Sequence, residues 1–227
     1  MKKLVVVSAG VSNPSTTRML ANRIAEAVQA QVSKRGEGLE VEYVELRKLA
    51  MSLGTVMSAG LYDESLREAL DKVSGADGLI AATPVFAASY SGLFKMSFDS
   101  LDKDALTSMP VVVAATAGTA RHSLMTEYAM RPLFSYLRAT VMPTAVFATT
   151  DDFGSAVGGE MMSRRATRAA RELAEYLVNV RSAVVGFGPD FADGVGASNN
   201  HRHSTNTQVN PRVADFESLL SGHDGTL

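Results

Sequence analysis

The sequence predicts an α/β fold of three layers, with a parallel five-stranded sheet at the centre and helices on both faces. Two patterns carry that expectation. Short apolar runs, several of them β-branched, recur along the chain, and between them lie stretches whose apolar residues return every three or four positions. A third observation orients the fold. The loops that follow the first, third and fourth apolar runs are crowded with Ser, Thr and Gly, the composition expected where strands hand over to helices at a ligand-binding edge.

The elements follow in order. LVVV at Leu4–Val7 is a continuous β-branched run, suited to a strand covered on both faces. From Thr16 to Val32, Leu20, Ile24, Val28 and Val32 step by four and give a helix one apolar stripe. LEVEYVEL from Leu39 alternates, which predicts a peripheral strand with Leu39, Val41 and Tyr43 on one face. Leu46 to Tyr62 matches no period cleanly and reads as a long connection able to form a flap. Asp63 to Val73 is a helix with a polar face. GLIAA from Gly78, VVVAA from Val111 and TAVFA from Thr144 are the remaining strands. Helices are predicted at Gly92–Leu101, Arg121–Arg138 and Glu160–Arg181; in the last, Met162, Ala166, Ala169, Leu173, Tyr176 and Val180 form the stripe. Right-handed crossovers and the chain length favour the doubly wound, flavodoxin-like strand order 2-1-3-4-5.

Composition excludes several classes of function. Cysteine is absent, so there is neither a disulfide framework nor thiolate chemistry. The formal charge of -2 argues against a nucleic-acid surface and against a strongly acidic electron carrier. MKKLVVV begins like a secretion signal, but its apolar run ends at Ser8, and a cytoplasmic protein is expected. After Gly186 the chain turns rich in Gly, Asn, Ser and Thr. Residues 1–186 therefore read as one domain and 187–227 as a polar, flexible tail, with a short docking helix near 213–220. His201 and His203 lie in that tail with no third ligand beside them, and no metal site is expected.

The first loop, SAGVSNPSTTRML, leads into a helix that starts near Ser15 or Thr16. Backbone N–H groups there lack helical partners and carry the positive end of the dipole, and Ser8, Ser12, Ser15, Thr16 and Thr17 add hydroxyls. Arg18 stands at the wrong end of that dipole with no acidic capping partner, a conflict that a bound anion would remove. The loop has one glycine and no lysine, so it fits neither the dinucleotide fingerprint nor the Walker loop. Neutral donors without lysine suit a terminal phosphomonoester, and FMN carries one. In ATPVFAASYSGLFK, Pro84 stiffens the turn, the amides of Val85, Phe86 and Ala87 can face a planar ligand, and Ser89 adds a polar contact. In ATAGTARHSL, Thr116 and Thr119 flank Gly118, which permits positive φ and close approach.

GVSNPSTTRML resembles the phosphate loop of the NADPH-dependent FMN reductases, with Ser15, Thr17 and Leu20 at matching positions and Ser12 where the family has arginine. TPVFAASYSGLFK is similar to the family's ring-binding segment, with Phe86 in place of tyrosine. ATAGTARHSLMTEYAMRPLFSYLRA is similar to the subgroup that serves two-component flavin monooxygenases. The resemblance implies hydride transfer from NADPH to FMN, release of reduced flavin to a partner monooxygenase, and a homodimer or homotetramer. It implies cofactor contacts from the loop residues named above and no catalytic side chain, since the cofactors carry the chemistry. An FMN-containing quinone or azo-compound reductase is the first alternative, and a flavodoxin-type electron carrier the second. Arg121 and His122 stand beside the expected ring site with no role fixed, and Asp151 and Asp152 receive none. The apolar set Met125, Tyr128, Met130, Phe134 and Tyr136 reads either as core or as a subunit interface.

Overall fold

The computed structural model describes residues 1–179. Val180, Arg181, the domain boundary at 186, both tail histidines and the expected helix at 213–220 lie outside the described residues. The chain runs β1 (Lys2–Ser8), α1 (Thr16–Ser33), β2 (Leu39–Glu45), a 3₁₀ turn (Leu46–Leu49), α2 (Ala50–Ala59), α3 (Glu64–Ser74), β3 (Gly78–Phe86) and β4 (Ser89–Tyr90). It continues through α4 (Gly92–Asp99), β5 (Pro110–Ala117), a 3₁₀ turn (Ala120–His122), a π-helical turn (Thr126–Met130) and α5 (Arg131–Tyr136). The last elements are β6 (Thr140–Val141), β7 (Val146–Thr149), α6 (Thr150–Gly154) and α7 (Ala156–Asn179).

The sheet has the order β2-β1-β3-β5-β6, with β4 antiparallel on β3 and β7 also on β5. This is the expected flavodoxin-like order, every other pair being parallel. The fifth strand arrives in two pieces. β6 and β7 take the same edge of β5, at Val111↔Val141 and Ala114↔Val146, and the gap contains Pro143, which has no N–H for a ladder.

Two apolar cores lie on opposite faces of the sheet. One joins Leu4, Val6, Ile80, Val112 and Ala114 to the stripes of α1 and α7, and the other joins Val5, Val7, Leu79, Val111 and Val113 to α2 through α5. Alternate residues of the same strand thus feed different cores, which is why β1 reads as a continuous apolar run. On α1 the stripe Leu20, Ile24, Val28 and Val32 is fully buried as expected. On α7 the stripe ends differently. Tyr176 is exposed while Leu177 is buried, because the helix turns Ala170, Ala174 and Leu177 toward the sheet.

Two segments fold differently from expectation. Leu46–Tyr62 is not an open connection but a 3₁₀ turn and the helix α2, capped by Gly60 at φ 68°. Leu46, Leu53 and Val56 are buried at helical spacing, and Met51, Met57 and Leu61 mask the period by standing exposed. Arg121–Arg138 is not one helix. Pro132 cannot donate a helical hydrogen bond, and just before it the backbone widens so that the Arg131 N–H reaches back to the Thr126 carbonyl. The peripheral strand keeps Leu39, Val41 and Tyr43 on one face, the first two packed toward the α1/α7 core and Tyr43 exposed, while Val44 is buried on the other face in the second core.

Asp63 caps α3, accepting from the Leu66 N–H at 2.8 Å and from the Ser65 hydroxyl at 2.8 Å, with Ser52 donating as well. The Ser52 hydroxyl foremost, then the Leu66 amide and the Ser65 hydroxyl, hold this carboxyl below the ordinary Asp value of 3.8. A folded pKa lowered in this way gives stabilisation that is complete above the unfolded value and lost as pH falls through the folded one. Asp63→Asn keeps the cap but does not titrate. Urea unfolding across the acid range is expected to show the two proteins converging as the pH falls, and a constant difference would contradict the assignment. No helix among the described residues is long and apolar enough to cross a membrane.

Candidate functional site

Strands β1, β3, β5 and β7 all point their carboxyl ends at one edge of the sheet, and their following segments enclose a cleft of about 300 Å³. Gly10, Val11, Ser12, Thr16 and Thr17 line it from the first loop, and Pro84, Val85 and Phe86 from the end of β3. Thr116, Ala117 and Gly118 come from β5, and Thr149, Thr150 and Phe153 from the junction of β7 and α6. Its volume is in the range of small-molecule sites.

Ser15 is the N-cap of α1. Its hydroxyl accepts from the Arg18 N–H at 3.2 Å, so that amide is spent, while the Thr16 and Thr17 amides have no helical acceptor. Gly10 is obligatory here for space, since a Cβ would lie 1.9 Å from Ser15 Oγ and 3.2 Å from Thr17 Cβ. The Thr17 hydroxyl meets the Thr116 hydroxyl at 2.7 Å, both residues buried, and this bond ties the first loop to the end of β5. One hydroxyl of the pair donates to the other, which leaves a single hydrogen for the cleft.

Arg18 finds partners within the protein, although its buried Nη1 makes no hydrogen bond. Its guanidinium stacks 4.0 Å from the centre of the Tyr43 ring, its Nε donates to Asn22 at 2.8 Å, and its Nη1 lies 3.2 Å from Glu45. The acidic partner absent from α1 is supplied by β2. Glu45 also accepts from Lys48 at 3.2 Å. That bond first, and then the charges of Arg18, Lys48 and Arg47, hold its carboxyl below the usual range against the opposing effect of burial.

The end of β3 is tighter than its sequence suggests. Val85 and Phe86 are not in an open loop but close a two-residue hairpin, Val85↔Tyr90 and Phe86↔Ser89. Ala87 and Ala88 form its turn at φ 46° and 64°, which alanine adopts at a cost of about 1–2 kcal/mol each. Thr83 fixes the base of the hairpin by accepting from the Ser91 N–H at 3.0 Å, and Ser91 in turn caps α4. Phe86 remains 47 % exposed at the mouth of the cleft.

Of the expected contact residues, Ser12, Thr16, Thr17, Pro84, Val85, Phe86, Thr116 and Gly118 line the cleft. Ser8 is buried at the end of β1, Ser15 is engaged as cap, Ser89 lies in β4, and Thr119 precedes the 3₁₀ turn without a capping hydrogen bond from its side chain. Gly118 does not take positive φ; what it provides is open space beside its Cα. Thr149, Thr150 and Phe153 are lining residues that the sequence reading missed. The signal was the Thr-x-x-Asp spacing after the last strand, where Asp152 accepts from the Thr149 N–H at 2.6 Å and so fixes the start of α6. Arg121 and His122 sit in the short turn after β5 and do not line the cleft. Among the described residues no group of three or more His, Asp or Glu side chains could hold a metal ion.

The sequence profile described as NADPH-dependent FMN reductase matches residues 2–154. The chain is 36% identical over 186 residues to FMN reductase (NADPH) of Pseudomonas aeruginosa, across 81% of this chain and 96% of that protein. It is 36% identical over 151 residues to the NADH-dependent FMN reductase SfnF of Pseudomonas putida, across 66% of this chain and 79% of that one. Among solved structures it is similar to an oxidoreductase from Corynebacterium diphtheriae at 54% identity and a TM-score of 0.76, covering 80% of this chain and 99% of the other.

Proposed function

The chain belongs to the NADPH-dependent FMN reductase family, and from that premise we propose how its cleft is used. The protein is an NAD(P)H:FMN oxidoreductase with FMN and NADPH as its cofactors. The observation that carries the reading of the site is the Thr17–Thr116 bond, which locks a helix N-terminus to the end of β5. A cleft of about 300 Å³ thereby has an anion seat at one end and a slot for a flat ring at the other.

The residues present fit the flavin. Free amides of Thr16 and Thr17 and the Ser12 hydroxyl would hold its phosphate, Gly10 leaving no bulk in the way. Pro84, Val85, Phe86 and Gly118 would bound the ring, and Thr149, Thr150 and Phe153 would close the remaining side. When bound, the flavin supplies a two-electron acceptor for the hydride of the reduced nicotinamide. The protein's part is to place the two rings face to face and to exclude water, which requires walls rather than an acid or base. Phe86, half exposed at the mouth, is placed to cover the ring edge.

Reduced flavin then passes to a partner monooxygenase. The open mouth of the cleft supports release, as does the likeness of the segment Ala115–Ala139 to reductases that serve such oxygenases. Assembly is homo-oligomeric. Met125, Met130 and Phe134 belong to the core, but Leu124, Tyr128, Pro132 and Tyr136, four residues apart, form an exposed stripe that suits a second copy.

The test is NADPH oxidation by purified protein with and without added FMN. Oxidation is expected to depend on added FMN and to saturate as for a substrate. Turnover that requires a quinone or azo compound instead would favour the alternative acceptor, and the absence of both flavin binding and oxidation would refute the reading.

A further inference from the structure

We propose that Arg47, from the 3₁₀ turn after β2, supplies the cation that the phosphate seat in the first loop lacks; the inference rests on that seat being the FMN phosphate site. From Gly10 through Thr17 the loop contains no charged side chain. A phosphomonoester carries close to two negative charges at neutral pH, more than two amides and a few hydroxyls neutralise. The nearest cation in sequence, Arg18, is held by Glu45, Asn22 and the Tyr43 ring. Lys48 is held by the same Glu45.

Arg47 differs from both. Its charge acts on Glu45 only from beyond ion-pair distance, and among the described residues its side chain forms no ion pair and one hydrogen bond, from Nη1 to the Val11 carbonyl at 3.4 Å. Val11 is a lining residue of the cleft, so the guanidinium is anchored on the loop itself. The backbone beneath is firmly placed, because Leu46 is buried and Glu45 pairs with Ser8 across the β1–β2 ladder. The bond to Val11 occupies one N–H of a five-donor fork and leaves the others for phosphate oxygens. Arg47 does not itself line the cleft; on this proposal its charge comes to the seat from the 3₁₀ turn after β2, across the tertiary contact with Val11.

The test compares FMN with riboflavin, which has the ring but no phosphate. Binding is followed by quenching of flavin fluorescence in the full-length protein, with no turnover involved. The wild type is expected to prefer FMN, and Arg47→Ala to lose about tenfold in FMN affinity with riboflavin affinity unchanged. Arg47→Gln keeps a donor for the Val11 carbonyl without the charge and should behave as the alanine variant. Arg47→Lys keeps the charge without the fork and should fall between. An Arg47→Ala protein with the wild-type preference for FMN overturns the proposal while leaving the seat intact, as does an Arg47→Gln protein that retains it. A KM for NADPH that rises relative to NADH with FMN affinity unmoved would place the residue at the wrong phosphate. Equal wild-type affinity for FMN and riboflavin would overturn the proposal together with the seat beneath it.

Discussion

Gly10→Ala is expected to lower FMN affinity about 100-fold, the loss of two charge-assisted hydrogen bonds, and to do so out of proportion to its effect on folding. The reason is spatial. The added Cβ would stand 1.9 Å from Ser15 Oγ, so the serine must leave its capping position or the loop must move. Either response displaces the Thr16 and Thr17 amides, because both follow directly from the cap. Loss of the cap alone costs about 1 kcal/mol, a shift of a few degrees in melting temperature for a domain of this size. Flavin titration and thermal unfolding of the flavin-free protein separate the two effects. Wild-type FMN affinity in the variant would mean that the first loop does not hold the phosphate.

Phe94→Ala is expected to destabilise the fold by about 3–5 kcal/mol, the range for a large buried aromatic. Phe94 is fully buried, and its ring lies 5.7 Å from that of Tyr90, 4.7 Å from Phe98 and 6.2 Å from Phe134. It is thus the point where α4, the hairpin and α5 meet. Truncation leaves a cavity that none of the three can close alone, and it removes the ring against which Tyr90 rests. Denaturant unfolding should show the loss directly, with flavin affinity falling as the hairpin at the cleft loosens. Met51→Ala, at a side chain 85% exposed, serves as the control and should change stability by about 0.5 kcal/mol or less. Similar losses in the two variants would refute this account of the core.

The sequence is most legible where one residue pattern has one structural outcome. The β-branched run of β1 and the four-residue stripe of α1 mark a buried strand and a helix packed on it, and both are found within a residue or two. The pattern is least legible where exposed apolar residues blur the period. Met51 and Met57 on α2 and Leu61 just past its cap do this, and they conceal the buried step from Leu46 to Leu53 and Val56. On the helix that passes Pro132 the apolar positions are readable, but the division between core and surface is not. Met130 and Phe134 face inward and Tyr128 and Tyr136, two positions off that step, face outward, and the side that meets the sheet is set by the packing of the segment, not by its composition.

By itself the sequence determined the layer order, the edge of the sheet at which the loops gather, and a lysine-free, glycine-poor first loop whose donors are amides and hydroxyls. Those properties follow from local periodicity and from which donors a short segment contains. Tertiary structure alone decided which polar groups are spent on one another and which stay available. It pairs the Thr17 hydroxyl with Thr116, assigns Arg18 to Glu45 and Tyr43, folds Val85 and Phe86 into a hairpin, and brings Thr149, Thr150 and Phe153 to the cleft. All but the hairpin join residues far apart in the chain. A hydroxyl or a guanidinium is the same in sequence whether or not a partner meets it, and only the packing of strand against strand settles whether one does.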